Sequence, residues 1–561
     1  MASTVSSPGG RDLPAEPVGG PLTRAGVSET LLLDPSTAYQ RKDQPAPRPT
    51  AFVADSLLVR GRHPDTEAAL TRVAEQAGFR LVWDEEHPER DARPTDDVEL
   101  LDAAGLTDQQ RASLEAVWVV RVRLAPLDTR PDAVFRPIDT WRLLQAFRAE
   151  VADRERAGDV ALEHPSELSI GGTPYTSGHA IRPTPYTSGH PYTSGHPYTS
   201  GHPYTSGHEA ALAEYALPGS GGRQPVAWVG EDPTPTTLLP RSRRPVVAVL
   251  DSGVGVHPWL DDTQVEHEPV VLGERIGLES LASEADAASQ SVHDLVGALG
   301  PDAGHGTFVA GLVRQACPQA RILSVRLFRD NGVVDELDLL RALQLLCLRQ
   351  MLALRPRSGV SPVDVLTMSL GYYHEQAEDA AFDPLLRGTL ALLGRLGVAV
   401  VASAGNDATS RPCYPAAFAP WDPAARAPRG QVPLSAVGAL NPDGTIAMFS
   451  NDGSWVRFLR PGAGLVSTVP TDLDGSLGAT LSLTTAGGER RATIDPDGFR
   501  SGFAIWSGTS FSAPLFAGQL AAKLVPLLGR DDSRDPAVAV KRANRALRSM
   551  PRRGRETGGS S

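Results

Sequence analysis

The sequence is poor in cysteine, has no excess of basic residues and contains no long apolar run, and each absence excludes a class of protein. Its 561 residues include three cysteines, Cys317, Cys347 and Cys413, whose odd number and wide spacing argue against a disulfide scaffold and against a zinc motif. The formal net charge of -12 gives no footprint for nucleic acid. No apolar stretch is long enough to predict a membrane span.

The start of the chain also lacks a recognisable targeting signal. The first ten residues contain neither a basic start nor an apolar core, so no secretory signal peptide is readable. Together with the few cysteines, this favours a cytoplasmic protein. Secretion is the alternative, should a misassigned start hide a signal peptide.

The composition changes along the chain and predicts separate regions. Residues 1–50 are rich in proline, glycine, serine and threonine, which indicates disorder. Residues 51–157 alternate strand-like and helix-like patterns, which predicts a small α+β domain. Residues 245–550 alternate short, wholly apolar runs with helical patterns. Such strands indicate a mostly parallel sheet covered on both faces, a three-layer α/β/α fold. A disordered tail is expected at 551–561.

A hexapeptide repeat lies between the two predicted domains, within residues 158–244. Pro-Tyr-Thr-Ser-Gly-His occurs from Pro174 and then without interruption from Pro185 to His208. Because this unit is too polar and too rich in proline and glycine to build a core, we interpret the region as a flexible linker. The alternative is a metal-binding array, although a flexible string holds its ligands in no fixed geometry. Its ligands would be the repeat histidines His179, His190, His196, His202 and His208.

Three short segments carry the residue types that peptide hydrolysis requires. Asp251 ends an apolar run and precedes a glycine-rich turn. His305 lies in Gly-His-Gly-Thr and Ser510 in Ser-Gly-Thr-Ser, each directly before an apolar helical pattern. A serine hydroxyl becomes a nucleophile when a base removes its proton, and histidine suits that task near neutral pH. A carboxylate behind the imidazole fixes its tautomer. Asp251, His305 and Ser510 are therefore the candidate catalytic residues.

A tetrahedral intermediate also needs hydrogen-bond donors for its oxyanion. Asn406 follows an apolar strand pattern in Val-Val-Ala-Ser-Ala-Gly-Asn, so its side-chain amide is one candidate donor. Because Pro514 is tolerated only near the first turn of a helix, Ser510 is expected at a helix N-terminus. The backbone N–H of Ser510 is then the second candidate donor.

The motifs Asp-Ser-Gly, Gly-His-Gly-Thr, Ser-Ala-Gly-Asn and Ser-Gly-Thr-Ser, in this order, resemble those of the subtilase family of serine peptidases. The resemblance covers roughly residues 244–550 and implies a subtilisin-like fold that hydrolyses a polypeptide substrate. It implies that Asp251 orients His305, which acts on Ser510 as base and then acid, and that Asn406 helps to bind the oxyanion. It also implies a strand that pairs with substrate, formed by Ser369, Leu370 and Gly371. One wall of the adjoining pocket would be formed by Ala402, Ser403, Ala404 and Gly405.

Among the departures of the sequence from the family pattern, one concerns a metal site and another a surface segment. A structural calcium ion is a common option in the family, but Trp259 stands about where relatives often keep a calcium-binding aspartate. No cofactor is therefore expected to be required, and no residue is assigned as a metal ligand. Asp472 to Ser501 reads as a long insertion before the serine motif, and we expect it to form a surface hairpin.

Alternatives stay open for the N-terminal domain and for the activity. The resemblance implies that residues 51–157 are a prodomain, which would block the cleft and be cut away within the linker. The rival interpretation is a permanent regulatory or partner-binding domain. The alternative to a peptidase is a non-catalytic peptide-binding protein on a subtilisin-like scaffold. An α/β-hydrolase esterase does not fit, because Ser512 stands where that family's Gly-x-Ser-x-Gly motif requires its second glycine.

Overall fold

The computed structural model of the chain describes residues 30–41, 45–61, 63–83, 105–127, 137–151, 154–168, 215–234, 243–278, 290, 295–328, 332–375, 384–420 and 430–553. The hexapeptide repeats lie outside the described residues. So do residues 1–29 and 554–561, where the sequence predicts disorder.

The N-terminal domain is built on a four-stranded antiparallel sheet. Its strands lie in the order β4-β5-β3-β6, where β3 is Ser56–Arg60, β4 is Phe79–Trp83, β5 is Val119–Pro126 and β6 is Val160–Leu162. Its helices are α1 (Pro64–Ala77), α2 (Asp108–Glu115), α3 (Thr140–Glu150) and α4 (Arg154–Ala157). Helix α1 begins with proline and ends at Gly78, whose φ of 89° suits a residue without a Cβ. Helices α1 and α3 pack together over the sheet.

The second domain is built on a seven-stranded sheet in which every neighbouring pair is parallel. In spatial order its strands are β10 (Val265–His267), β13 (Arg321–Arg326), β9 (Val246–Asp251), β15 (Val365–Met368), β17 (Ala399–Ser403), β18 (Ser435–Leu440) and β19 (Phe458–Pro461). Its central strands are apolar and buried on both faces, as helices on both sides require.

Among the described residues, five helices accompany this sheet: α5 (His305–Ala316), α6 (Glu336–Ala353), α7 (Pro384–Arg395), α8 (Thr509–Leu528) and α9 (Pro536–Arg548). Helix α5 follows β10 in the chain and leads to β13, whereas α6 leads to β15 and α7 leads to β17. Helices α6 and α7 pack together, and because the central strands are buried on both faces, this pair and the pair α5–α8 cover opposite faces. Helix α8 packs against α5 and the sheet. The result is a three-layer α/β/α domain.

The remaining strands form small sheets around this domain. One of them holds β7 (Pro165–Leu168) between β14 (Val333–Asp335) and β16 (Leu370–Gly371). Another joins β20 (Leu465–Thr468), β23 (Phe503–Trp506) and β8 (Gln224–Pro225). Two-stranded pairs are formed by β1 (Thr30–Leu33) with β2 (Thr50–Val53), β11 (Val270–Val271) with β12 (Glu274–Arg275), and β21 (Ser482–Thr484) with β22 (Arg490–Ala492).

The predicted fold class is confirmed, but the region boundaries differ from those expected. Strand β1 lies within the segment predicted as disordered, and β6 and β7 lie within the segment predicted as a linker. These strands are three or four residues long, too short for a periodic pattern to reveal them. The predicted insertion carries the exposed hairpin β21–β22.

The apolar core is shared between the two domains. One cluster of buried side chains includes Leu58 and Trp118 of the N-terminal domain as well as Leu345 of α6. Fifteen of the 18 residues of α6 are buried. Contrary to the expectation from sequence, α8 is long and apolar enough to span a membrane, but it is mostly buried inside the protein. That burial is typical of a core helix.

Candidate active site

Asp251 and His305 are in direct contact at the carboxyl end of the central strand β9. The Nδ1 atom of His305 lies 2.7 Å from Oδ1 of Asp251, and both side chains are buried. The backbone N–H of Ser252 donates to the same carboxylate oxygen at 2.8 Å. A buried carboxylate in this position fixes the imidazole tautomer that keeps a proton on Nδ1 and leaves Nε2 as the acceptor.

The glycines on either side of His305 are required by close contacts. Gly304 precedes the helix with φ of 82°, and a Cβ there would also lie 3.2–3.3 Å from the Leu473, Pro470 and Val469 side chains. A Cβ on Gly306 would lie 2.0 Å from the carbonyl oxygen of Gly253, in the turn that follows Asp251. The Gly-His-Gly motif therefore lets the start of α5 approach the turn after Asp251 closely enough for the 2.7 Å contact between His305 and Asp251.

Ser510 is the second residue of α8 and is buried. The ring of its neighbour Phe511 lies 5.1 Å from the His305 ring, which brings the start of α8 beside the imidazole. Pro514 lies in the second turn rather than the first and has no N–H to donate to the Ser510 carbonyl. The Ser369 hydroxyl donates to that carbonyl instead, at 2.9 Å. Ser369 therefore compensates for the proline and joins the predicted substrate strand to Ser510.

Asn406 follows β17 and is oriented by Thr509. Its Oδ1 accepts hydrogen bonds from the Thr509 N–H and hydroxyl, both at 2.9 Å. The Thr509 hydroxyl also accepts from the Gly405 N–H at 3.2 Å. Gly405 has φ of 99°, and a Cβ there would lie 2.3 Å from Nδ2 of Asn451. These contacts fix the amide so that its oxygen faces Thr509 and its NH₂ points elsewhere.

Among the predicted catalytic and oxyanion residues, three buried polar atoms have no hydrogen-bond partner in the described part of the chain: His305 Nε2, Asn406 Nδ2 and Asp251 Oδ2. Unpaired buried polar atoms are rare in folded proteins, and they often mark catalytic groups. The His305 imidazole and the Asn406 amide both lie beside the start of α8. An imidazole acceptor is what a serine nucleophile requires, and an amide donor is what a developing oxyanion requires.

The predicted substrate strand is paired with a segment of the same chain. Strand β7 runs antiparallel to β16, with Leu168 opposite Leu370 and Glu167 opposite Gly371. On its other side it pairs with β14, and the Leu168 N–H donates to the Gly332 carbonyl at 3.2 Å. Residues 165–168 thus complete a three-stranded sheet that β14 and β16 leave open between them. The sequence did not predict this strand.

The pocket wall predicted at residues 402–405 lies at the carboxyl end of β17, where all four residues are buried. Cys413 lies next to this wall. A Cβ added to Gly371 would lie 2.5 Å from the Cys413 Sγ atom, and a Cβ added to Gly405 would lie 3.3 Å from it. Burial raises the pKa of the Cys413 thiol well above its usual range. Cys317, Cys347 and Cys413 are all buried free thiols.

Asp302 is a second carboxylate at the site that the sequence did not reveal. It lies three residues before His305, is 2% exposed, and its carbonyl accepts the His305 N–H at 2.9 Å. Burial raises the pKa of Asp302 to about 7, and the charge of Asp251 adds to this, although His305 and Arg223 act in the opposite direction. Within the described part of the chain, no group of three potential metal-ligating side chains occurs.

A buried ionic cluster anchors β7 at its N-terminal end. His164 Nδ1 lies 3.3 Å from Glu336 Oε2, and its Nε2 lies 3.1 Å from Glu375 Oε2. The His164 N–H also donates to Glu336 at 2.9 Å. Glu375 further faces His374 Nδ1 at 3.3 Å and Arg148 Nη1 at 3.9 Å. The cluster joins the N-terminal domain, which contributes Arg148 and His164, to the second domain.

The charges of this cluster change the pKa values of its members. Burial opposes the charged form of His164, but hydrogen bonds and charge from Glu336 and Glu375 outweigh it and raise the pKa of His164 to about 10. Burial likewise opposes ionisation of Glu375, but His374, His164 and Arg148 hold the pKa of Glu375 well below its usual range. At neutral pH the contact is therefore an ion pair.

Comparison with known proteins gives one family match. Residues 242–527 match the sequence profile of the subtilase family, Peptidase_S8. A thermophilic serine proteinase of Bacillus sp. (strain AK1) is 26% identical over 226 residues, which are 40% of this chain and 45% of that protein. The chain thus spans less than half the length of this curated relative.

Two solved structures are among those that this chain matches. Fervidolysin from Fervidobacterium pennivorans, a keratinolytic enzyme related to subtilisin, is 17% identical with a TM-score of 0.40, and the match covers 87% of this chain and 56% of that chain. The patellamide maturation protease PatA is 23% identical with a TM-score of 0.33, and the match covers 54% and 85% of the respective chains.

Proposed function

The chain belongs to the subtilase family, and from this membership we propose that it is a serine endopeptidase with Asp251, His305 and Ser510 as its catalytic triad. The observation that carries the proposal is the 2.7 Å contact between Asp251 and the Nδ1 atom of His305, with the opposite nitrogen buried and unpaired among the described residues. An imidazole held in this way is ready to accept a proton.

The proposed reaction is amide hydrolysis through an acyl-enzyme. His305 removes the hydroxyl proton of Ser510 as its oxygen attacks the substrate carbonyl. The resulting oxyanion accepts hydrogen bonds from the Asn406 NH₂ and the Ser510 backbone N–H. His305 then gives its proton to the leaving amine, the C–N bond breaks, and water hydrolyses the ester by the same route. Asp251 stays ionised and stabilises the imidazolium.

The proposed substrate is a polypeptide in extended conformation. Strands β14 and β16 offer backbone hydrogen bonds on both sides of one added strand, the arrangement that β7 fills with its own backbone. Because these contacts are to main-chain atoms, they would accept many sequences, with selectivity left to the side-chain pockets.

Strand β7 fills the position between β14 and β16 that we propose for substrate, and this supports an inhibitory role for the N-terminal domain. Strand β7 follows directly from β6 of that domain, and His305 and Ser510 are both 0% exposed. We propose that the domain blocks the cleft until the chain is cut within the region that follows Leu168. A permanent regulatory domain would occupy the same position without being cut.

The test is a Ser510→Ala variant compared with wild type and with a matched Ser512→Ala control. Ser512 lies on the same helix and donates to the Thr509 carbonyl. Wild type and the control should react with a fluorophosphonate probe at Ser510 and hydrolyse peptides, whereas Ser510→Ala should lose turnover by several orders of magnitude. The cut between the domains should also depend on Ser510.

Two results would separate the alternatives. If Ser510→Ala were cut as fast as wild type, self-processing would be wrong. The second result concerns wild type after release of the N-terminal domain. If it then bound extended peptides but neither hydrolysed these peptides nor reacted with the probe, the chain would be a non-catalytic peptide-binding protein.

A further inference from the structure

Residues 221–226 run beside the strand that leads to Ser510. Strand β8 pairs antiparallel with β23, with Gln224 opposite Ile505 and Pro225 opposite Ala504. At the two ends of this pairing, the Ser507 hydroxyl donates to the Gly221 carbonyl at 2.8 Å and the Val226 N–H donates to the Phe503 carbonyl at 3.1 Å. The backbone on both sides of residue 223 is therefore fixed to the segment that precedes the nucleophile.

From this position Arg223 reaches the loop that ends at His305. Its Nη1 donates to the Ala303 carbonyl at 2.6 Å and its Nη2 donates to the Gly300 carbonyl at 2.9 Å. The same loop is held to His305 by the bond from the His305 N–H to the Asp302 carbonyl. The planar guanidinium suits this task, because it offers two donors in fixed geometry to two acceptors at once.

Arg223 also contacts an aromatic ring that packs against His305. Its guanidinium carbon lies 5.0 Å from the centroid of the Trp506 ring, within the range of a cation–π interaction. The Trp506 ring in turn meets the His305 ring edge-on, with centroids 5.7 Å apart. One side chain thus contacts both the loop before His305 and the ring beside it.

Building on the proposed function, we propose that Arg223 is a positioning residue that holds the His305 imidazole in register with the strand leading to Ser510. It touches no reacting atom in this arrangement, so it acts through the 300–303 loop and Trp506. Loss of the guanidinium frees the loop from β23 and lets the imidazole move relative to the serine. A displacement of about 1 Å at a catalytic group costs on the order of 100-fold in rate.

The test measures kcat and KM of wild type, Arg223→Ala and Arg223→Lys, each produced as the full chain and then cut between the domains, with active sites counted by fluorophosphonate labelling. The matched control is Arg534→Ala, because Arg534 also donates to two backbone carbonyls, those of Ala353 and Val360, away from the site. Arg223→Ala should lose about 10- to 100-fold in kcat per labelled site with little change in KM. Arg223→Lys should lose less, because it retains the cation over Trp506 but not the two-donor geometry.

Chemical rescue distinguishes positioning from a general effect on folding. Millimolar guanidinium should restore part of the kcat of Arg223→Ala and leave Arg534→Ala unchanged. The inference is overturned if Arg223→Ala keeps its kcat within two-fold, or if its loss merely follows the fraction of labelled sites and guanidinium restores nothing. A wild-type enzyme that the probe does not label would instead refute the proposed function.

Discussion

The buried ionic cluster of His164, Glu336 and Glu375 should stabilise the position of β7 in a pH-dependent way. The perturbation is Glu375→Gln, which keeps the shape of the side chain but removes the charge facing His164, His374 and Arg148. Removing one partner of a buried ion pair costs roughly 3–5 kcal/mol. The raised pKa of His164 corresponds to about 5 kcal/mol in favour of its charged form after the opposing cost of burial, and Glu336 and Glu375 share this effect. The opening of β7 should therefore become at least about 100-fold more frequent.

The dependence on pH has a defined sign. Because the pKa of His164 is raised from 6.5 to about 10, its contribution is complete below about pH 6.5 and is lost as the pH rises through about 10. Because the pKa of Glu375 is lowered, its contribution is present above its ordinary value of 4.5 and is lost as the pH falls far below it. The effect of Glu375→Gln should be largest near pH 6 and should shrink towards pH 10.

Hydrogen exchange of the backbone amides in residues 166–168 measures this opening directly, since Pro165 has no N–H. Glu375→Gln and its control variant are made in a Ser510→Ala background, so that the chain stays intact. Glu489→Gln, on the exposed hairpin, is the control and should leave exchange unchanged. A change below five-fold for Glu375→Gln at pH 6, or an equal change at pH 6 and pH 10, would refute the reasoning.

Two further predictions concern the site itself. The pKa of Asp302 is raised from 3.8 to about 7, so its ionisation opposes folding between these values, and Asp302→Asn should gain up to about 4 kcal/mol over wild type as the pH rises from 4 to 8. Urea unfolding at the two pH values checks this, and an equal difference at both would contradict it. Thr509→Val removes the hydroxyl that orients Asn406 and should lower kcat about ten-fold with little change in KM. Steady-state kinetics check this, and a rise in KM at constant kcat would point to substrate binding instead.

The sequence could predict the parts of the site whose geometry is encoded locally. Gly304 and Gly306 flank His305 because neighbouring loops leave no room for a Cβ, so the motif itself records the close approach. The apolar run that ends at Asp251 likewise predicts a buried strand with a carboxylate at its end. The position of Asn406 after such a run follows the same logic.

The sequence could not predict contacts between remote segments. Strand β7 has the sequence Pro-Ser-Glu-Leu, which shows no strand pattern, and its partners in β14 and β16 lie far along the chain. Arg223 and Asp302 each have an ordinary local context, and tertiary packing alone brings them beside the His305 loop. Pro514 suggested a first-turn position, but the Ser369 hydroxyl makes the second turn tolerable. In each case the deciding partner is a residue that local pattern cannot identify.

Helix α6 has a consequence for the solubility of the second domain once it is separated from the N-terminal domain. Water-facing helices keep a polar stripe, yet none of the 18 residues of α6 is exposed, and Gln344 donates to the Val117 carbonyl of the N-terminal domain. Departure of that domain would uncover leucine-rich surface at a cost of about 25 cal/mol for every Å² of apolar area. A detached second domain would therefore favour re-binding of the N-terminal domain or self-association after the chain is cut.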